Sequence, residues 1–252
     1  MFRVTERLDA TQKTLSVLDA LDASASRLAD IAERAGLPKS TVHRILGRLV
    51  EYGYARAEGD GRYVLGPRAL TLAGAALQHV DAGPVLRELH AEVGHTVHFA
   101  MLTGDEAVYL EKLVDPNLPY QFASRVGGRI PLHCTAMGKA LLAAMDRGTA
   151  RELLGRRELV RRTANTLVTV REIEAELDRI RARGFSIDDE ENERNIRCVG
   201  AAVRDHRGVP SHAISVSALT VEVSVDDALA LGPRVVAAAR AVSAVLGAPP
   251  DR

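Results

Sequence analysis

Residues 28 to 49, LADIAERAGLPKSTVHRILGRL, constrain this chain more than any other stretch. Two short helices that cross at a sharp turn need a small residue at the crossing. They also need a turn residue that accepts positive φ and an apolar stripe on the second helix. Ala32 meets the first demand, and Gly36, four residues on, meets the second. Val42 opens the stripe, which continues through Ile45, Leu46 and Leu49 at helical spacing. Leu28, Ile31 and Leu37 complete a small core, and Ser26 is expected to cap the first helix of the pair. The spacing predicts a helix-turn-helix.

The polar side of the second helix has its own chemistry. At about 100° per residue, the face opposite Val42 and Leu46 displays Ser40, Arg44 and Gly47. Lys39, Thr41, His43 and Arg48 flank it. Short hydroxyls near a helix N-terminus approach phosphates closely, and arginine or histidine reaches phosphates or base edges. A hairpin follows, with Tyr52-Gly53-Tyr54-Ala55-Arg56 and Arg62-Tyr63-Val64-Leu65 on either side of Glu58-Gly59-Asp60-Gly61. Arg56 and Arg62 on this wing are expected to flank the minor groove or contact phosphates.

Global charge gives no hint of such a partner, because 33 basic side chains balance 33 acidic ones. Local charge does. From Arg34 to Arg68 there are seven basic residues against three acidic ones, the excess a phosphate backbone attracts. The expected partner is double-stranded DNA.

The remaining residues read as a second body. Gly66-Pro67 punctuates the chain, a helical stretch runs from about Arg68 to Val80, and Asp81-Ala82-Gly83-Pro84 interrupts it. We therefore expect a winged domain over residues 1–66, a helical linker over 67–83 and a sensor domain over 84–252. In the last, Thr96 to Leu102 and Ala107 to Val114 read as strands around a Gly104-Asp105 turn. Thr135 to Met145 and Val170 to Arg183 read as helices, the second amphipathic through Ile173, Leu177 and Ile180. Cys198 to Arg204 and Ala213 to Leu219 read as strands joined near Arg207-Gly208, and Asp226 to Leu246 as a closing helix. The pattern is an α+β fold: a winged helix-turn-helix followed by an α/β, GAF-like domain with a mainly antiparallel sheet.

Gly36-Leu37-Pro38-Lys39-Ser40-Thr41-Val42-His43-Arg44, with the wing ending Tyr63-Val64-Leu65-Gly66-Pro67, resembles the DNA-binding domain of the isocitrate-lyase-regulator (IclR) family, and the likeness covers nearly the whole chain. It implies a transcription regulator whose operator affinity responds to a small effector, a metabolite or carboxylate. It also implies homodimers assembled through the N-terminal region, and tetramers through the effector domains. Three segments resemble the family's effector pocket. In Pro131 to Leu142, Ala136 and Met137 open a helix whose amides attract a carboxylate. Asp188 to Glu191 places acids on a loop before the strand carrying Ile196 and Cys198, and Ser215 and Ser217 share one face of another strand. The resemblance thus assigns Ala136, Met137, Asp188, Ile196, Cys198, Ser215 and Ser217 to effector binding. Two departures border that pocket. Asn195 stands where the family often has glycine, in a position where asparagine tolerates left-handed geometry. Ala218-Leu219 replaces the usual Gly-Pro. The Thr96 to Phe99 strand, with either His98 or Phe99 facing inward, and the Tyr120-Gln121-Phe122 segment are further candidate walls.

Enzyme readings are weaker. Adjacent acids from Asp188 to Glu191 and Glu193 are expected to be solvated. The pairs His133-Cys134 and Cys198 with His206 or His212 lack zinc-ligand spacing, and no glycine pattern makes a phosphate loop. No catalytic residue, metal or cofactor is expected. The alternative is an enzyme-like, metabolite-binding domain fused to a DNA-binding head. No apolar run reaches the roughly 18 to 20 residues of a membrane span, and no secretory leader opens the chain, so a cytoplasmic protein without a membrane partner is expected. Cys134 and Cys198 read as reduced, packed thiols.

Overall fold

In the computed structural model, which describes residues 9–21, 26–77, 82–114 and 123–250, the chain divides into two compact units, residues 1–79 and 80–252.

The first unit opens with α1 (Ala10–Asp19), started by a reciprocal cap. The Gln12 amide donates to Asp9 Oδ1 and the Asp9 amide to Gln12 Oε1, both at 2.8 Å. Helices α2 (Leu28–Ala35) and α3 (Lys39–Glu51) form the expected pair, turned by Gly36 at φ 64°. Only a residue without Cβ adopts that φ at no steric cost, so the tight turn depends on Gly36. Val42, Ile45, Leu46 and Leu49 are all buried, packed with Ile31, Ala32 and Val17. The hairpin β2 (Ala55–Ala57) and β3 (Arg62–Leu65) gains an unforeseen third strand, β1 (Ser26–Arg27), in the order β1-β3-β2. This corrects the expected cap. Ser26 is buried opposite Tyr63, and the α2 cap falls to Arg27, whose amide donates to Asp30 Oδ2 at 3.3 Å. Pairing with the wing draws Ser26 into extended backbone one residue too early to cap. Helix α4 (Pro67–Leu77) closes the described part of this unit.

The second unit is a six-stranded antiparallel sheet between two helical layers. Helix α5 (Gly83–Val93) leads into the hairpin β4 (Thr96–Thr103) and β5 (Glu106–Leu113), with β6 (Arg129–Pro131) on its outer edge. Helices α6 (Ala136–Ala144), α7 (Arg147–Gly155) and α8 (Val170–Arg183) precede β7 (Ser186–Asp189), β8 (Ile196–Arg204) and β9 (Pro210–Leu219). The long α9 (Val225–Val245) ends the fold, and the strand order is β6-β5-β4-β9-β8-β7. Helices α7 and strands β6 and β7 escape the sequence pattern, being short or flanked by charge.

Period-two alternation sorts the strands between two cores. Val97, Phe99, Val199, Ile214 and Val216 face α5 and α9, while Ala100 and Ala213 face the layer of α6 and α8. Apolar residues on both faces match a sheet covered on both sides. Helix α9 is long and apolar enough to cross a membrane by length and composition, beyond what an unbroken apolar run suggested. One side of it, through Ala228, Val235, Ala239 and Val242, packs on the sheet instead.

Helix α6 lies unusually close to the segment before it. A Cβ at Gly138 would sit 2.4 Å from Leu132 Cα and 2.5 Å from its carbonyl oxygen, both rigid backbone. Gly138→Ala should therefore cost about 1–3 kcal/mol despite alanine's better helix propensity. Urea unfolding measures this, and a midpoint equal to or above wild type would show that the contact is not tight.

Candidate nucleic-acid interface and ligand cavity

In the first unit, α3 presents its polar side to solvent. Lys39, Ser40, His43, Arg44 and Arg48 are exposed and Thr41 is half-buried, because the stripe from Val42 to Leu49 takes the inward side. Three of the eight residues expected to meet DNA already have acidic partners. Arg48 pairs with Glu51 at 2.7 Å, Arg56 with Glu58 at 2.8 Å and Arg62 with Asp60 at 3.0 Å. Such exposed pairs are weak and screened by solvent, so a phosphate can displace the acids at small cost. Lys39 and Arg44 make no ion pair with a described residue, which leaves them the more readily available cations.

In the second unit, a cavity of about 290 Å³ opens on the α6 side of the sheet. Strands supply its floor: His98 from β4, Tyr109 from β5, Ile196 and Cys198 from β8, Ser217 from β9. Loops supply Ser124, Arg162 and Asn192. His98 bridges floor and wall, with Nε2 at 2.7 Å from Ser124 Oγ and Nδ1 at 3.3 Å from Ser217 Oγ. The Ser217 hydroxyl donates to Cys198 Sγ at 3.1 Å. That spends its one proton, so the imidazole carries its own on Nδ1 and accepts from Ser124 at Nε2. Burial, then nearby Lys112, pushes His98 down to about 3, so the ring is neutral at physiological pH. Burial also raises the Tyr109 phenol and the Cys198 thiol, which stay protonated. The charges that remain on the lining are Arg125, Arg129 and Arg162 against Glu193. The balance is cationic.

Of the seven residues expected to bind an effector, Ile196, Cys198 and Ser217 line this cavity, while Ala136, Met137, Asp188 and Ser215 do not. Ser215 shares the face of Ser217 but lies opposite Gly200, and α6 rests there. A Cβ on Gly200 would come within 2.7 Å of the Ala136 carbonyl carbon, so the helix start covers that part of the strand. Ala136 and Met137 are themselves buried behind the lining. Thr135 caps only the Gly138 amide, leaving the first two amides of α6 without a capping side chain.

The acidic run departs further from expectation. Asp188 and Asp189 belong to β7 rather than a loop, and Asp188 and Glu191 are buried instead of solvated. Glu191 pairs with Lys139, a fully buried lysine of α6 that sequence reasoning passed over. Its signal was a lone cation in an otherwise uncharged helix, AMGKALLAA. Lys139 Nζ also donates to the Ile187 carbonyl at 2.6 Å, and Asp188 Oδ1 accepts from the amides of Glu191 and Asn192 at 2.8 and 3.2 Å. Burial pushes the Asp188 carboxyl up to about 7, partly opposed by Lys139. Asn195, at φ 62°, has the left-handed geometry expected of it. His98 faces the cavity and Phe99 the opposite core, where it stacks on His212 with ring centroids 5.1 Å apart. Tyr120, Gln121 and Phe122 lie outside the described residues. Among the described residues, no three His, Cys, Asp or Glu side chains group as a metal site, and both cysteines are free thiols.

Comparison with known proteins gives both units the same relatives. Residues 10–59 match the IclR helix-turn-helix domain, and residues 72–244 match the bacterial transcriptional regulator IclR C-terminal domain. The chain belongs to the IclR family of bacterial transcriptional regulators. It is 35% identical to the HTH-type transcriptional regulator KdgR of Dickeya chrysanthemi, over 87% of this chain and 74% of that one. It is 33% identical to the transcriptional repressor IclR of Escherichia coli K12, over 87% and 82%. A similar fold is an IclR homolog from Microbacterium hydrocarbonoxydans, solved with 4-hydroxybenzoate, with a TM-score of 0.78 at 24% identity over 94% of this chain and 99% of that one. This family member is thus a DNA-binding regulator rather than an enzyme, with an α+β architecture.

Two outcomes follow from this geometry. Arg44→Ala should weaken binding to an in-vitro-selected operator duplex by about 1–3 kcal/mol, the range for loss of a base contact. Titration by fluorescence anisotropy reads it, and unchanged affinity would remove Arg44 from the interface. Asp188 makes the second. Its carboxyl keeps a proton in the folded state up to about 7 but loses it near 3.8 when unfolded. The stability it contributes is therefore present at low pH and is lost as pH rises between those values. Subtracting the unfolding free energies of Asp188→Asn from those of wild type should leave a difference that falls from pH 4 to pH 7; a flat difference would place Asp188 in a solvated setting.

Proposed function

We propose that this regulator binds an operator as a homodimer or a dimer of dimers, reading it with α3 and flanking it with the wing. A small organic acid in the cavity of the C-terminal unit changes that affinity. The DNA-contacting set is Lys39, Ser40, Thr41, His43, Arg44 and Arg48 on α3, with Arg56 and Arg62 on the wing. One observation carries the effector assignment: the cavity at Ser217 and Cys198 has its titratable floor held neutral while arginines outnumber acids on its lining. An uncharged floor costs an anion no repulsion, and guanidinium groups supply planar donors to a carboxylate.

The two hydroxyls, Ser124 and Ser217, and the neutral His98 add polar partners that fix orientation. The size of the cavity, about 290 Å³, suits a metabolite of a few to ten heavy atoms rather than a cofactor. The complex of the Microbacterium homolog with 4-hydroxybenzoate, a small aromatic acid, is consistent with this class. Ala136, Met137, Asp188 and Ser215 act from behind the lining: the α6 amides bias the cavity toward negative charge, and Asp188 holds the turn carrying Asn192.

For a ligand to alter DNA affinity, it must bind two arrangements of the protein with different strength. Residues 67–83 connect the winged domain, residues 1–66, to the sensor domain, residues 84–252, and are the segment through which that difference passes. A coupling of about 1–3 kcal/mol corresponds to a 5- to 150-fold change in operator affinity. Thermal-shift screening of the full protein against small mono- and dicarboxylates identifies the ligand, and the hit should alter operator binding in that range. Ser217→Val should leave operator affinity of the free protein unchanged and abolish the response to the hit. A variant that still responds fully would dissociate this cavity from regulation.

A further inference from the structure

We propose that the C-terminal unit holds a second binding site, separate from the cavity at Cys198, that takes an organic anion with an apolar body. The site is a cavity of about 490 Å³ bounded by the C-terminal ends of α6 and α8, the last residues of β8 and the C-terminal half of α9. It shares no lining residue with the cavity at Cys198.

The sheet explains why space exists there. Strand β7 pairs with β8 only from Arg197 to Gly200, so Ala201 to Arg204 continue past the end of their outer neighbour. Helices α6 and α9 stand on the two sides of this stretch, and their facing residues are small, among them Ala140, Ala144 and Ala244. Methyl groups cannot fill the gap that a missing strand leaves. The Arg204 amide, directed away from β9, donates to Ser243 Oγ at 3.0 Å.

Arginines carry the charge on the described lining. Arg181, Arg204 and Arg240 line it, from three different elements, and among the described residues no aspartate or glutamate does. Arg181 is held in place, with Nε donating to the Ala143 carbonyl at 3.0 Å and Nη1 to Asp178 at 2.8 Å. Arg204 is half-buried, donates to the Gly208 carbonyl at 2.8 Å and pairs with no described carboxylate. A bound anion gives the half-buried Arg204, which pairs with no described carboxylate, a partner in a partly desolvated space. Because Arg181 and Arg204 are already held by these bonds, little of their ordering is lost on binding. The alanine walls offer contact to a flat apolar body. A phosphate or carboxylate on a small aromatic or aliphatic frame meets both demands.

The probe is phenyl phosphate, titrated into full-length protein labelled at its alanine methyl groups and followed by NMR. Saturable shifts are expected at Ala144, Ala202 and Ala244, and they should persist in Ser217→Val. The double variant Arg204→Gln/Arg240→Gln, first checked by thermal melting, should bind at least about tenfold more weakly. Should it fail to fold, Ala202→Phe, which fills the cavity without removing charge, is expected to give the same loss. Shifts confined to Ala123 beside Ser124, no saturation up to about 10 mM, or full affinity in the folded variants would each overturn the second site. Persistence in Ser217→Val also keeps this outcome apart from the fate of the effector cavity.

Discussion

The ligand-binding unit depends on one buried ammonium. Lys139 reaches from α6 to the Ile187 carbonyl on β7 and to Glu191 beyond it, tying helix, edge strand and turn at a single point. Burying two charges costs several kcal/mol each, and their attraction offsets this only when further hydrogen bonds complete the set. Here a backbone carbonyl does so on the lysine side. The turn that follows is then fixed by its own donors and acceptors: Asp188 accepts two amides, and Thr163 and Thr166 donate to the carbonyls of Glu190 and Glu191 at 2.6 Å. Asn192 and Glu193 therefore enter the cavity wall from a rigid support. A hydrophobic pair in place of Lys139 and Glu191 would fill the volume but leave the Ile187 carbonyl unpaired. The ionic solution specifies where the turn sits, which an apolar contact does less well.

Charge is distributed by the same logic of local need. A chain with no net charge presents cations on α3 and on two cavities of the other unit, while its acids are spent elsewhere as partners. On the wing, Glu58 and Asp60 hold Arg56 and Arg62 before any DNA arrives. These pairs are exposed and weak, so they reduce nonspecific attraction to polyanions without blocking a specific contact. Among the described residues Arg44 has no such companion, and it stands at the centre of the polar side of α3. On the proposed reading, this division makes the helix the reader and the wing the adjustable clamp.

How far the sequence carried depends on the distance over which each interaction acts. The helix pair was legible because Ala32, Gly36 and the stripe from Val42 to Leu49 obey rules that operate within one or two turns. Helix α8 was legible to its ends, since its period, its Thr169–Glu172 cap and Gly184 are all local. Ser26 misled because a strand pairing across to Tyr63 outweighed its capping preference. In the cavity, Cys198 and Ser217 followed from strand alternation and family likeness. Arg162, Ser124, Tyr109 and Asn192 did not, because they converge from separate loops and strands only once the sheet closes. The buried acids were misjudged for the same reason: their lysine lies 52 residues away in sequence.

This also bears on what α6 does. Its first turn is pressed onto the sheet through Gly200, where Ser186 donates to the Ala136 carbonyl at 2.5 Å, and onto Leu132 through Gly138. Glycines at both contacts mean that the helix start has almost no freedom to move independently of the strands. A ligand drawn to the Ala136 and Met137 end of α6 would thus pull on the sheet and on the Lys139 junction together. Packed cores resist graded deformation and shift between discrete arrangements. On the proposed reading, occupancy of the small cavity would therefore act on α6 and the sheet as one body rather than on the helix alone.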